Sequence, residues 1–231
     1  MENDLKARLL DAALAHVPFD GWCDATLAAS AQDVGVTLSE ARAVYPRGAV
    51  DMARAYHLRG DAQMLEQMAA ADLGAMRYSQ RVAAGVRFRL EAVQDKELVR
   101  RGMALFSLPQ YAADGTQLVW GTADKIWTAL GDTSDDFNWY SKRAILSGVY
   151  GSTVLFWLGD TSEGHSATWA FLDRRIEDVM RFEKMKAQAR ENPFLSKLMS
   201  VPNAVLSQIK APSRTPRDDL PGRWPTRPGG R

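Results

Sequence analysis

Cysteine is almost absent from this chain: Cys23 is the only one in 231 residues. That excludes a disulfide framework and a thiolate metal site, and it fits a reducing compartment. Histidine is nearly as scarce. His16, His57 and His165 stand far apart on different expected helices, and no Glu-x-x-His pair supplies the ligands of a di-iron bundle. No run reaches the roughly 18 consecutive apolar residues of a membrane-spanning helix. The opening MENDLKARLL carries Glu2 and Asp4 and lacks an apolar signal core, so neither secretion nor an uncleaved transit peptide is expected. Missing too are GxxxxGK[ST], GxGxxG after a strand, GxSxG and HExxH. No catalytic residue, cofactor or metal is therefore expected. Asp135 and Asp136 suit a helix cap better than acid–base work, and Arg59-Gly60-Asp61, which spells an adhesion tripeptide, carries no weight in a chain without a secretion signal.

What is present is a large apolar fraction, 46%, arranged at three- and four-residue spacing between short breaks. This is the period of amphipathic helices, and no segment shows convincing strand alternation. The expected fold class is all-α, with about nine helices before the tail. Asn3 can cap a first helix ending near Pro18. A second runs over 24–34 and stops at Gly35, a residue type favoured where the chain must take positive φ after a helix. Thr37 and Glu40 in "TLSE" form a capping box for a short third helix ending by Pro46. Longer helices are expected over 48–71, 73–93, 95–108 (capped by Asp95 and stopped by Pro109), 116–130, 136–158 and 164–190. The sequence divides into a helix-turn-helix unit (1–47), a helical body (48–190), an amphipathic helix (191–211) and a Pro, Gly and Arg-rich tail (212–231) expected to be disordered.

The near-neutral net charge of +1 hides an asymmetry. Residues 1–183 hold 19 Lys or Arg against 25 acids, whereas 184–231 hold ten against three. An acidic body with a basic tail suits an anionic partner reached by the tail, either membrane lipid or nucleic acid.

The first three helices have the outline of a helix-turn-helix, and Leu9 to Pro46 resembles the N-terminal unit of the tetracycline-repressor (TetR) family. DNA binding by that unit needs Lys and Arg around the recognition helix to neutralise phosphate. Residues 20–51 instead hold Arg42 and Arg47 against Asp20, Asp24, Asp33, Glu40 and Asp51. The repressor pattern of a Tyr, an aromatic and a Lys is replaced by Ala43 and then Tyr45-Pro46-Arg47. No specific nucleic-acid binding is expected. A TetR-type regulator with a small apolar effector is the alternative reading.

From Phe88 onward, "RFRLEAV" (87–93), "ALFSLP" (104–109), "DKIWTALGD" (124–132), "DFNWYSKRAILSGVY" (136–150) and "TWAFLDRRIEDVM" (168–180) are similar to a specific offshoot of that fold. It is the lipid-binding accessory protein family of ubiquinone biosynthesis. The resemblance implies a non-enzymatic protein that binds an isoprenoid lipid or quinone intermediate and presents it to the di-iron hydroxylase acting late in the pathway. Phe106, Leu108, Trp120, Trp127, Ile145 and Phe156 are candidate lipid contacts, although each could equally be ordinary core. It also implies a homodimer through the last two body helices, where Gly148, Gly151 and Ser152 would allow close approach. The implied location is peripheral, on the cytoplasmic face of a bacterial inner membrane or the matrix side of a mitochondrial one.

Residues 192–212 give the clearest amphipathic pattern. Phe194, Leu195, Leu198, Met199, Val205, Leu206 and Ile209 fall on one arc at 100° per residue, with Ser, Asn, Gln and Lys opposite. Spacing alone leaves docking on the bundle and lying in a membrane interface equally open; the basic tail and the resemblance favour the membrane surface and its anionic lipids. "DDFNWYSKR", residues 135–143, raises a last question. Adjacent helical residues point about 100° apart, so Trp139 and Tyr140 cannot share one core-facing stripe. An outward Trp beside basic residues has the composition of a binding hot spot. The resemblance assigns Trp139 and Tyr140, with Arg143 beside them, to the surface that docks the hydroxylase.

Overall fold

The computed structural model describes residues 2–191 and Ala211, with side chains placed as far as Arg181. Among the described residues there are nine α-helices and no strand: α1 (Glu2–Asp20), α2 (Asp24–Val34), α3 (Leu38–Val44), α4 (Ala49–Ala70), α5 (Tyr78–Glu91), α6 (Lys96–Phe106), α7 (Ala112–Ala129), α8 (Phe137–Gly159) and α9 (Ser166–Glu191). No helix among these residues is long and apolar enough to cross a membrane. The expected amphipathic helix over 191–211, with its apolar face from Phe194 to Ile209, lies outside the described residues except at its two ends. So does the tail, 212–231. Ala211 itself donates its amide to the Asp135 carbonyl at 2.8 Å, just ahead of α8.

The local signals that set the helix ends are the predicted ones at four places, among them Asp95, whose carboxylate accepts from the Glu97 amide at 2.8 Å to cap α6. Gly35, at φ 76°, ends α2 in the left-handed region, and the Val36 amide returns to the Ala31 carbonyl at 2.9 Å. At α3 the Thr37 hydroxyl accepts from the Glu40 amide at 3.2 Å while the Glu40 carboxylate accepts from the Thr37 amide at 2.8 Å. Asp136 caps α8 through the Asn138 amide at 2.8 Å. Three ends differ. Asn3 lies inside α1 rather than at its cap, and α1 continues past Pro18 to Asp20 because Gly21, at φ 76°, is the residue that turns the chain. The stretch expected as one helix over 73–93 breaks into a short turn at Leu73–Ala75 and α5, since Met76 and Arg77 are extended. In turn α7 begins at Ala112, earlier than expected, behind a turn at Pro109–Tyr111.

Two apolar clusters share α4 as a common wall. Leu9, Ala13, Val17, Leu27 and Ala41 pack on Met52 and Ala53 from its first half. Val86, Leu90, Ile126, Leu146, Tyr150, Trp157 and Leu172 pack around Met64 and Met68 from its second half. Each buried Val, Leu, Ile or Met among them contributes about 1.5–3 kcal/mol by leaving water, so the helix-turn-helix unit and the body are bound through one continuous helix. Among the described side chains of α6, Leu98 is the one fully buried. Half-buried Val99, Leu105 and Phe106 pack against the two clusters, and polar contacts add to them. Trp22 Nε1 donates to the Leu98 carbonyl at 3.1 Å, Arg101 Nη2 to the Pro18 carbonyl at 3.0 Å, and Lys96 Nζ to the carbonyls of Trp157 and Asp160 at 2.7 Å each. The last pair puts a cation at the C-terminal end of α8, where the helix dipole favours it.

Candidate functional site: a cavity and an aromatic platform

Where the two clusters meet, the helices leave a cavity of about 280 Å³. Its walls come from α4, α5, α6, α7 and α8, and they are mostly apolar: Val99, Met103 and Phe106 on α6 face Leu118 and Val119 on α7, with Val154 on α8. The α6–α7 approach depends on Gly115, where a Cβ would stand 2.8 Å from the Phe106 Cβ. Trp22 and Tyr56 close one side with their rings 5.7 Å apart.

Under this apolar space lies a buried polar cluster. Asp61 on α4 accepts from Arg89 Nε and the Thr122 hydroxyl through Oδ1, both at 2.8 Å, and from Lys125 Nζ through Oδ2 at 2.9 Å. Arg89 Nη2 donates to the His57 carbonyl at 3.1 Å, and His57 Nε2 lies 2.9 Å from the Thr122 hydroxyl. Burial, reinforced by the Arg89 charge, pushes the His57 imidazole down to about 4, so it is neutral at physiological pH. Burial alone would raise the Asp61 carboxyl, but the surrounding charges outweigh it and hold the group below its ordinary value. Gly60 is needed here, since a Cβ would meet the Arg89 guanidinium at 2.6 Å.

Of the six candidate lipid contacts, Phe106 alone lies on the cavity wall. The others are corrected by which way their helix faces turn. Leu108 is exposed beyond the end of α6. Trp120 points away from the cavity into an aromatic cluster, and Trp127 is in the body core, its Nε1 donating to the Lys142 carbonyl at 3.0 Å. Ile145 borders a separate crevice beside Trp127, and Phe156 stacks on Phe171 at 4.6 Å near the surface. Most residues that do line the cavity were missed because they are ordinary in type: Ala53, Val99, Met103 and Leu118 carry no signal beyond helical periodicity.

The platform lies at the start of α8. Trp139 and Tyr140 do not diverge as expected; their rings meet edge to face at 4.8 Å and both cover Trp120, at 6.0 and 6.5 Å. Long aromatic side chains bend toward each other across the 100° that separates their Cβ bonds. Both are half-buried. Arg143 requires a firmer correction, because it is 0% exposed and cannot offer its charge to a partner. Its guanidinium stacks on Trp139 at 4.0 Å, donates to Asp124 at 2.6 Å, and reaches Asp132 at 3.0 Å. Lys142 also donates to Asp132, at 2.7 Å. Burial would raise the Asp132 carboxyl, yet these donors and Ser134 hold it at about 2.

In the helix-turn-helix region, Arg42 reaches Asp24 at 3.4 Å and Arg47 makes a two-pronged contact with Asp114 at 3.0 and 2.6 Å. Both basic groups of that segment are thus directed at carboxylates of the chain itself. No group of three or more potential metal ligands occurs among the described residues.

A helix-turn-helix unit on a helical body with an internal cavity defines a TetR-like fold. It is shared with the crystal structure of the TetR transcriptional regulator from Nitrosomonas europaea ATCC 19718, at a TM-score of 0.63 and 20% identity over 75% of this chain and 97% of that one. Residues 112–183 match the COQ9 family model and residues 2–32 match the model of the ubiquinone biosynthesis protein COQ9 N-terminal domain, which places the chain in the COQ9 family. It is 31% identical over 198 residues to the mitochondrial ubiquinone biosynthesis protein COQ9 of Rattus norvegicus, covering 82% of this chain and 63% of that protein. The Drosophila melanogaster protein of the same name is 31% identical over 192 residues (80% and 58%), and that of Homo sapiens 29% over 198 (82% and 62%). The chain therefore spans about three fifths of the length of these relatives.

Proposed function

We propose that the chain is a non-enzymatic lipid-binding accessory protein of ubiquinone biosynthesis, which takes an isoprenoid quinone intermediate into its cavity at a membrane surface. The observation that carries this reading is the apolar cavity between the two clusters. Its size is close to the lower end of the roughly 300–1,000 Å³ of small-molecule sites. It accommodates a ring and the first apolar units of a chain, and a longer tail passes out through the opening. Such molecules are too apolar to cross water unaided, so a carrier must meet the bilayer and shield them. The amphipathic pattern over 192–212 supplies the meeting surface, the protein remaining peripheral on the cytoplasmic or matrix face.

The same reading gives the Trp120, Trp139 and Tyr140 platform to the di-iron hydroxylase that receives the lipid, and it makes the protein a homodimer through α8 and α9. The latter is supported by a face of α8 on which Ala144 and Gly148 are exposed and Leu155 is 62% exposed. A DNA-binding regulator is disfavoured by the pairing of Arg42 and Arg47 with carboxylates. The test is native mass spectrometry with lipid extraction on protein purified from its own host. A co-purifying isoprenoid quinone is expected; an empty protein that retains DNA would reverse the assignment.

A further inference from the structure

Apart from Ser107, the polar residues of the cavity wall gather around Arg89, where Tyr56, His57 and Tyr150 also contribute to it. Tyr56 Oη is buried and has no hydrogen-bond partner among the described residues. A desolvated hydroxyl without a partner costs free energy that a ligand oxygen can recover. The charges nearby are already committed. Arg89 directs Nε to Asp61 and Nη2 to the His57 carbonyl, and its Nη1 lies against α4 at Gly60. Asp61 is saturated by Arg89, Thr122 and Lys125. An anionic head would find the one cation of the wall, Arg89, already paired with the Asp61 carboxylate behind it. A neutral oxygen finds a phenol that can both donate and accept.

We infer that Tyr56, with His57 and Tyr150 around it, forms a headgroup subsite that receives a neutral oxygenated ring, quinone or quinol, inserted ahead of its apolar chain. The ring oxygen pairs with Tyr56 Oη, the ring lies between Trp22 and Tyr150, and the chain leaves along Val99, Met103 and Phe106. This rests on the lipid-carrier reading and adds to it a direction of entry and a choice of head. It also separates ligands of equal apolar length by their polar end, which an apolar cavity alone cannot do.

The experiment uses the full chain, stripped of lipid, with three probes that each carry a ten-carbon chain: a decyl-substituted benzoquinone, decylbenzene and decanoate. Binding is followed by calorimetry. The wild type should bind the quinone roughly fivefold to tenfold more tightly than decylbenzene, as one hydrogen bond allows, and decanoate weakest. Tyr56→Phe should erase that preference by weakening the quinone alone, while the lipid-free variant melts at the same temperature or higher because an unpaired hydroxyl is gone. The two opposite signs distinguish a recognition role from a packing role. Equal weakening of quinone and decylbenzene, an intact preference in Tyr56→Phe, or decanoate as the tightest probe would each overturn the subsite. Equal binding of all probes by the wild type would leave the carrier reading standing and remove the subsite. Binding of none would remove both.

Discussion

Arg89 on α5 and Asp61 on α4 meet at 2.8 Å, with the two side chains 4% and 1% exposed. A pair this deep is stable only while it is complete, since removing one partner leaves an uncompensated buried charge. Asp61→Leu, which strips Arg89 of its counter-charge, should therefore destabilise the fold by about 3–5 kcal/mol, and Arg89→Met by less, because Lys125 and Thr122 still pair with Asp61. The double variant should cost less than the sum, because neither charge then remains. Chemical denaturation of the four proteins measures the difference; strict additivity would mean the pair is not coupled.

His57 gives a pH dependence with a defined sign. Its folded value is pushed down to about 4 by burial and by Arg89, against about 6.5 in the unfolded chain. Between those values the unfolded chain binds a proton that the folded chain does not. Stability therefore rises with pH through this window and falls on acidification from 6.5 toward 4, by on the order of 2–3 kcal/mol. His57→Gln, which keeps a polar group near Thr122, should flatten that part of the stability profile relative to the wild type. Below pH 4 the two proteins should lose stability together as the carboxylates that accept charged hydrogen bonds, Asp61 and Asp132 among them, begin to protonate.

The helices were legible in the sequence because their signals are local: Gly35, the Thr37–Glu40 box and the Asp136 cap each act within a few residues. The site was not, for a reason of the opposite kind. The cavity is defined by what five helices fail to fill, and no residue type announces an unfilled space. Trp120, Trp127 and Phe156 drew notice through size, yet large aromatics fill gaps; the wall is set by Val99, Met103 and Leu118. Likewise Asp61, met in the sequence as the end of an adhesion tripeptide, is a buried hub that becomes visible only when α5 brings Arg89 and α7 brings Thr122 and Lys125 against it. Arg143 shows the same limit, since its burial depends on Asp124 and Asp132 from a neighbouring helix and loop.

The membrane role assigned to the C-terminal segment rests on its sequence period and can be tested by charge. Leu198→Asp with Leu206→Asp places two carboxylates on the apolar face of the expected helix, each disfavoured among acyl chains and repelled by anionic headgroups. Sedimentation with cardiolipin-containing liposomes should be lost, while thermal melting of the body should stay within a few degrees of the wild type. Unchanged sedimentation would show that the membrane is met elsewhere.

If the docking surface proposed above is right, the start of α8 holds a structural residue and a docking residue within one four-residue stretch. Arg143 is fully buried against Asp132 and Asp124, so Arg143→Met should cost about 3–5 kcal/mol. For a chain of this size that corresponds to a fall in melting temperature of roughly 6–20 °C. Tyr140 is half-buried, and its ring meets Trp139 edge to face at 4.8 Å and lies 6.5 Å from Trp120. Truncating it removes an aromatic contact of about 0.5–1.5 kcal/mol together with some buried area, and leaves the ion pairs beneath intact. Tyr140→Ala should accordingly lower the melting temperature by only a few degrees while abolishing co-purification with the di-iron hydroxylase. If Tyr140→Ala retains the hydroxylase and Arg143→Met loses it in proportion to its instability, the platform is a packing feature and the docking surface lies on another face.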